Sequence, residues 1–221
     1  KGFAMSFKKV KGGVCAPQGF RGGAVSCGIK EVGNPRDDLA LIYSDHPCVS
    51  AGTFTTNRVK AAPVKVTRAH LRAMDLRAVV ANSGNANACT GVPGITDARQ
   101  MAKTVASSLG LRQREVGVCS TGVIGLPLPM PRMEEGLRTL PTQLTRDGGR
   151  QVAEAIMTSD TTVKEIAITA TIGGKKIRIG ACAKGAGMIC PSMATMLCFV
   201  TTDASISKAC LQKSLLEAVE G

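Results

Sequence analysis

The sequence predicts an α+β protein, organised as a layered sandwich of mixed β-sheets and helices. Three observations predict this class. Six short apolar runs rich in β-branched residues indicate strands, and three further stretches place apolar residues at helical spacing. The two kinds of element do not follow strict βαβ alternation, so we expect mixed sheets. The 221 residues suffice for one large domain or two small ones.

The predicted strands are the short apolar runs bounded by turn residues. They lie at residues 38–43, 77–81, 115–119, 165–172, 176–182 and 195–200. Gly173 and Gly174 lie between two of these strands and predict a β-hairpin turn. The proline-rich residues 126–131 predict a rigid loop.

The predicted helices are fewer and longer. The clearest spans residues 97–109, where apolar residues recur on one face. Thr96 can cap its start, and Gly110 can end it. Further helices are expected at residues 149–157 and 205–220.

Charge and aromatic content restrict the classes of partner. The formal net charge is +12, but the basic residues are scattered, which is typical of a solvated surface. With no Trp and one Tyr, the chain lacks the aromatic residues on which nucleic-acid bases stack, so we expect no nucleic-acid partner. We find no signal-peptide pattern and no apolar run of about 18 residues, so we expect no membrane partner. We expect a cytoplasmic protein, or an organelle-matrix protein if the source is eukaryotic.

The nine cysteines do not indicate a metal site or a disulfide framework. No two have C-x-x-C spacing, and only His46 and His70 could assist as ligands, so we expect no metal. Most lie among Val, Ala and Gly, which predicts small buried apolar side chains. Free thiols in this number indicate a reducing compartment.

Residues 184–202, KGAGMICPSMATMLCFVTT, are the most informative stretch. Thr195 follows a small residue and a glycine-rich turn, and it stands at the mouth of an apolar strand. If the Ala194–Thr195 bond breaks, the new α-amino group, with a pKa of about 7.7–8.0, supplies a base beside the Thr hydroxyl. Spacing alone also permits a strand with an incidental Thr.

Two other polar stretches follow predicted strands. Thr121 and Gly122 could point a hydroxyl and a backbone N–H at developing negative charge, although Thr-Gly after a strand is also an ordinary turn. The segment NSGNAN (82–87) lacks aliphatic side chains except Ala86 and is expected to satisfy turns and support the site.

Six sequence blocks together identify a family. They are GGVCAPQGFRGG (12–23), AGTFTTNRVKAAPV (51–64), NSGNANACTG (82–91), CSTGVIGLPLPM (119–130), AIMTSDTTVKE (155–165) and KGAGMICPSMATML (184–197). In this order they resemble the ornithine acetyltransferase family, the bifunctional glutamate N-acetyltransferase/amino-acid acetyltransferase of arginine biosynthesis. The resemblance covers essentially the whole chain and implies an N-terminal-nucleophile-like architecture.

The resemblance also implies site residues. It makes Thr195 the nucleophile and Ala194–Thr195 the cleavage site. It assigns Thr121 and Gly122 to an oxyanion hole, and Thr161 and Lys184, together with Thr195, to substrate binding. Without it, Lys184 would be an ordinary surface lysine.

The implied reaction moves an acetyl group from N2-acetylornithine to glutamate through an acetyl-Thr intermediate, in ping-pong fashion. No cofactor is implied, although acetyl-CoA serves some family members as a co-substrate. A related self-processing Thr-nucleophile amidohydrolase or aminopeptidase is the alternative.

The resemblance divides the chain at the cleavage site. Residues 1–194 are the prospective α subunit, and residues 195–221 begin a β subunit. Family precursors are longer, so we expect the remaining substrate contacts beyond Gly221. The implied assembly is an α2β2 heterotetramer built from one precursor.

Overall fold

The computed structural model describes residues 7–30, 36–186 and 196–220. The strands are β1 Lys8–Val10, β2 Phe20–Val25, β3 Leu39–Ser44, β4 Ala78–Asn85, β5 Val116–Val123, β6 Lys164–Ile172, β7 Lys175–Lys184 and β8 Leu197–Thr202. The α-helices are α1 Ala62–Ala73, α2 Gly91–Leu109, α3 Met130–Thr139, α4 Gly149–Ala155 and α5 Lys208–Glu220. Short 3-10 helices cover Gly13–Cys15, Gln113–Glu115 and Leu140–Gln143.

The strands form two four-stranded sheets. Sheet A has the order β1-β6-β7-β8 and is antiparallel throughout. Sheet B has the order β2-β3-β4-β5 and is mixed, because its last pair is parallel. Gly173 and Gly174 join β6 to β7 with φ values of 56° and 76°, which confirms the predicted hairpin.

Every predicted strand with described residues is present, but β4 and β5 continue well beyond their expected ends. The predicted strand at 77–81 continues to Asn85 as β4, and the one at 115–119 continues to Val123 as β5. Their polar continuations were expected to be loops and turns. They remain in the sheet because the two strands pair with each other in parallel over this stretch.

Helix ends differ from expectation where proline and glycine are involved. Helix α2 begins at Gly91, so Thr96 lies inside the helix and is not its cap, whereas Gly110 ends it at φ 65° as predicted. Pro131 lies in the first turn of α3, where a missing N–H is tolerated, so the rigid loop ends before it.

Among the strands and α-helices of the described ranges, β1, β2, α1 and α3 were not predicted. Helix α1 starts after Ala61, which offers no capping side chain. Its buried residues nevertheless recur at helical spacing, and this pattern could have revealed the helix: Ala62, Pro63, Val66, Thr67 and His70.

The core has two parts, one on each face of sheet B. Helices α1, α2 and α3 cover one face, where Leu41, Val80 and Met101 are among the buried residues. The other face packs with α4 against sheet A, where Ile42 and Cys182 are buried. The described layers are therefore helices, sheet B, and sheet A with α4 between the sheets, as the predicted sandwich requires.

The cysteines differ in exposure more than expected. The eight in the described part of the chain are all free, but only Cys15 and Cys182 are buried, and three are exposed. None of the helices in the described ranges has the length and apolarity needed to cross a membrane.

The parallel strands β4 and β5 approach very closely at a glycine pair. Gly84 and Gly122 are register partners with φ values of 101° and 131°. A Cβ atom at Gly122 would lie 2.2 Å from the carbonyl carbon of Gly84. Both the backbone conformation and the close contact therefore require glycine at this position.

We expect Gly122→Ala to lower the free energy of unfolding by about 2–5 kcal/mol, because positive-φ strain adds to a backbone clash. Gly110→Ala is the matched control: its φ is 65° and its Cβ would meet nothing within 4 Å. It should lose only about 1–2 kcal/mol. Urea unfolding of both variants measures the difference, and equal losses would show that the strand contact tolerates a methyl group.

Candidate active site

A hydrogen bond between the two sheets marks the candidate site. Lys184, the last residue of β7, donates from Nζ to Oγ1 of Thr121 on β5 at 3.0 Å. Both residues are buried, with 5% and 6% of their surface exposed. The structure therefore brings together Lys184, which the family resemblance assigned to substrate binding, and Thr121, which it assigned to the oxyanion hole, with Gly122 next in the chain.

The donor in this bond is fixed by chemistry. A charged ammonium group has only hydrogens to offer, so the Thr121 oxygen must accept. The hydrogen of the Thr121 hydroxyl is not used in this contact. This arrangement prepares Thr121 to donate a hydrogen bond.

The charge on Lys184 is influenced by burial and by two neighbours. Burial lowers the pKa of Lys184, the carboxylate of Asp160 opposes this by raising it, and the ammonium of Lys164 lowers it further. The net pKa lies below the usual lysine value. The neighbouring carboxylate therefore favours the charged form of this buried amine.

Asp160 is a buried residue beside the candidate site that the sequence analysis did not single out. Its side chain is completely shielded from solvent and accepts three hydrogen bonds. Oδ1 receives Lys164 Nζ at 2.7 Å and the Gly185 N–H at 2.7 Å, and Oδ2 receives the Thr158 N–H at 3.2 Å. A carboxylate in a Ser/Thr-rich turn, with Lys four residues later, was the available sequence signal.

These contacts determine how Asp160 ionises. Burial would raise its pKa, but the hydrogen bonds from Lys164, Gly185 and Thr158 and the Lys164 charge outweigh burial. The resulting pKa is about 2. Asp160 is therefore a permanent negative charge beside the end of β7.

Thr161 lies at the edge of this cluster. It directly follows Asp160 in the turn before β6, and its side chain is exposed. The turn is held near the end of β7 because Asp160 accepts the Gly185 N–H. Thr161 thus faces solvent close to Lys184 in the fold but does not share its buried environment.

The NSGNAN segment supports the site from within β4. Asn82 accepts the Ser120 hydroxyl at 2.6 Å, and its amide donates to the carbonyl of Asn85 at 2.8 Å. Asn85 donates to the carbonyl oxygens of Leu126 and Pro127, which anchors the chain after β5. These contacts fit the structural role expected from the sequence.

The segment that contains the expected nucleophile and cleavage site, including Ala194 and Thr195, lies outside the described residues. Description resumes at Met196, and Leu197 on β8 is the register partner of Lys184 on β7. The first and last residues of the KGAGMICPSMATML block, Lys184 and Leu197, therefore lie opposite each other on adjacent strands. In the described ranges, no group of three or more His, Cys, Asp or Glu side chains could hold a metal ion.

A family model named for ArgJ matches residues 21–221. The chain belongs to the ArgJ family. Among curated relatives, it is 53% identical over 209 residues to the arginine biosynthesis bifunctional protein ArgJ of Symbiobacterium thermophilum. It is 48% identical over 209 residues to the protein of the same name from Dehalococcoides mccartyi.

The matches cover unequal shares of the two partners. They take in 95% of this chain but only 52% and 51% of those two relatives. The chain therefore spans about half the length of the curated relatives it matches.

Two solved structures share the fold. The arginine biosynthesis bifunctional protein argJ of Bacillus halodurans has a TM-score of 0.80 at 36% identity and matches over 88% of this chain and 100% of its own. The ornithine acetyltransferase of Mycobacterium tuberculosis, solved with ornithine, has a TM-score of 0.75 at 38% identity, over 87% and 100%. The predicted α+β sandwich, with its N-terminal-nucleophile-type architecture, is confirmed.

The ion pair and hydrogen bonds of Asp160 predict that the stability of the fold is sensitive to acid. Because the pKa of Asp160 falls from 3.8 to about 2 on folding, its carboxylate stabilises the fold above pH 4. That contribution, about 2 kcal/mol, is lost as the pH falls through about 4 toward 2. The Asp160→Asn variant should therefore have a lower free energy of unfolding than the parent at neutral pH. This difference between the two proteins should shrink over the same acid range.

Glu134→Gln is a suitable control, because it removes a carboxylate from an exposed pair with Arg138 on α3. Such pairs contribute little, so this variant should stay within about 1 kcal/mol of the parent. Urea unfolding from pH 7 to pH 2.5 measures all three proteins. A pH-independent deficit in Asp160→Asn would contradict the role of its charge.

Proposed function

We propose that this chain is part of an acetyltransferase that moves the acetyl group from N2-acetylornithine to glutamate in arginine biosynthesis. The observation that carries the proposal is the buried Lys184–Thr121 bond, with Leu197 opposite Lys184. Thr195 precedes Leu197 by two residues in the sequence. The proposed oxyanion donor and the cation are thus in contact, and the proposed nucleophile stands two residues before the register partner of that cation in the sequence.

The first proposed step is self-cleavage. The hydroxyl oxygen of Thr195 attacks the carbonyl carbon of Ala194, and the acyl group shifts from nitrogen to oxygen. Water then hydrolyses the ester, leaving a carboxylate on Ala194 and a free amine and hydroxyl on Thr195. The new amine is a base with an ordinary pKa near neutrality, suited to general-base catalysis.

The second proposed step is acetyl transfer through a covalent intermediate. The Thr195 amine takes the hydroxyl proton as the oxygen attacks the acetyl carbonyl, and ornithine leaves with that proton on its amine. Glutamate then attacks the acetyl ester through its own amine and restores the Thr195 hydroxyl. In both half-reactions, the Thr121 hydroxyl and the Gly122 N–H stabilise the oxyanion that forms on the acetyl carbonyl oxygen.

Lys184 serves both the protein and the substrate in this proposal. One of its three N–H groups is committed to Thr121, which leaves two for a substrate carboxylate. Acetylornithine and glutamate are both α-amino acids, so one cation can meet the carboxylate of each in turn. Thr161, exposed beside Asp160, is the proposed polar contact on the solvent side.

Two comparisons support the proposal. The related Mycobacterium tuberculosis enzyme was solved with ornithine, the product of the proposed first half-reaction. Both solved relatives match over 100% of their chains, whereas the curated relatives match over 52% and 51% of their lengths. Chains of such different lengths within one family are what cleavage of a precursor would produce.

The same proposal includes the partners and the setting. The α part, residues 1–194, would pair with a β part that starts at Thr195, in an α2β2 heterotetramer. Acetyl-CoA is a candidate additional acetyl donor, and the cytoplasm is the proposed location.

Glutamate dependence provides the test of this function. The full-length protein should release ornithine from N2-acetylornithine in proportion to added glutamate, with N-acetylglutamate formed in equal amount. N-terminal sequencing should find a chain that begins Thr-Met-Leu-Cys-Phe. Chromatographic measurement of both amino acids decides the question.

The matched control is Thr195→Ala, which should abolish cleavage and transfer together because both need the hydroxyl. Thr195→Ser retains a hydroxyl and should keep part of each. Ornithine release that is independent of glutamate would instead identify an amidohydrolase. Full activity in an uncleaved protein would contradict the mechanism, since Thr195 would have no free amine.

A further inference from the structure

Two charges of opposite sign act on the buried ammonium of Lys184. Asp160 and Lys164 form an ion pair at 2.7 Å, in which the carboxylate is shielded from solvent and the lysine is 43% exposed. The same carboxylate oxygen binds the N–H of Gly185, the residue directly after Lys184. The pair is thus attached by a backbone hydrogen bond to the segment that carries the site lysine.

We propose that Asp160 is a positioning residue of the active site, which keeps the Lys184 ammonium beside Thr121 and in its charged form. The proposal deepens the acetyl-transfer function above and rests on it for its catalytic consequence. Asp160 touches neither substrate nor nucleophile in this account. It acts through the backbone at Gly185 and through its charge.

The backbone contacts supply the positional part of this role. Asp160 accepts the N–H groups of Thr158, in its own turn, and Gly185, at the end of β7. One buried carboxylate therefore connects the turn that carries Thr161 to the strand end that carries Lys184. A side chain shielded from solvent with three donors has little freedom to move, so both substrate-binding candidates are held in a fixed relation.

The charge of Asp160 supplies the electrostatic part. Burial lowers the pKa of Lys184, and Asp160 is the neighbour that raises it. Lys164 acts in the opposite direction on the same group. Removal of the Asp160 carboxylate should therefore lower the pKa of Lys184, and removal of the Lys164 ammonium should raise it.

Among the described residues, the other ionisable groups on strands near Lys184 are not among the charges that shift its pKa. Glu165 on β6 is engaged by Arg150 at 3.2 Å. Cys119 on β5 and Cys182 on β7 have pKa values raised to about 12, chiefly by burial, and are uncharged thiols at neutral pH. Asp160 and Lys164 therefore provide the separable electrostatic influences on Lys184.

The test uses Asp160→Asn and Lys164→Met in the full-length protein. Asparagine keeps the size and one of the two acceptor oxygens but removes the charge, and position 164 is exposed enough to accept methionine. The Lys184 ammonium is titrated by NMR on lysine-labelled protein, with its signal assigned by its loss in Lys184→Met. We expect the pKa of Lys184 to fall in Asp160→Asn and to rise in Lys164→Met.

Turnover provides the second readout. The alkaline limb of the kcat/KM profile should move to lower pH in Asp160→Asn and to higher pH in Lys164→Met, because loss of the Lys184 proton ends substrate binding. At neutral pH, Asp160→Asn should lose on the order of 10²-fold in kcat/KM through misplacement of the site.

The two readouts separate the two proposals. Opposite pKa shifts of Lys184 in the two variants, together with an absence of acetyl transfer in the parent protein, would uphold the positioning role and overturn the proposed function. An unchanged Lys184 pKa in both variants would reduce Asp160 to a structural turn residue and overturn the positioning role, whatever the activity. Shifts in the same direction would also overturn it.

Discussion

A buried lysine bridges the two β-sheets, and its need for a hydrogen-bond acceptor organises the site. Lys184 reaches from β7 in sheet A to Thr121 on β5 in sheet B. A hydrogen bond to a charged group contributes about 1.5–3 kcal/mol, so this bond contributes to the relative placement of the two sheets. The same bond uses the Thr121 oxygen as acceptor and leaves its hydroxyl hydrogen available for donation, as the proposed oxyanion donor requires.

The structures on either side of this bond make it geometrically feasible. Gly84 and Gly122 allow β4 and β5 to approach at the end of sheet B, and Asn82 and Asn85 satisfy polar groups there. On the other side, Asp160 holds the end of β7 through the Gly185 N–H. The close approach of β4 and β5 on one side and the buried Asp160 carboxylate on the other therefore both help to position Lys184.

The sequence predicted the apolar elements well and the polar ones less well. Strands such as β3 and β6 were found because apolar periodicity reports burial directly, and Gly110 ended α2 as glycine usually does. The polar ends of β4 and β5 were taken for loops, since their place in the sheet depends on pairing between distant segments. Asp160 was missed for the same reason: its partner Gly185 is remote in sequence. Thr121 and Lys184 were identified through family resemblance, and local pattern alone favoured ordinary readings.

A double-mutant cycle on Lys184→Met and Thr121→Val tests the central claim most directly. The free energy of unfolding is measured for the parent, both single variants and the double variant by urea titration at neutral pH. If the bond couples the sheets, the double variant should be more stable than the sum of the single losses predicts, by about 1.5–3 kcal/mol. Losses that add to within about 0.5 kcal/mol would show that the two residues act independently, and the account would fail.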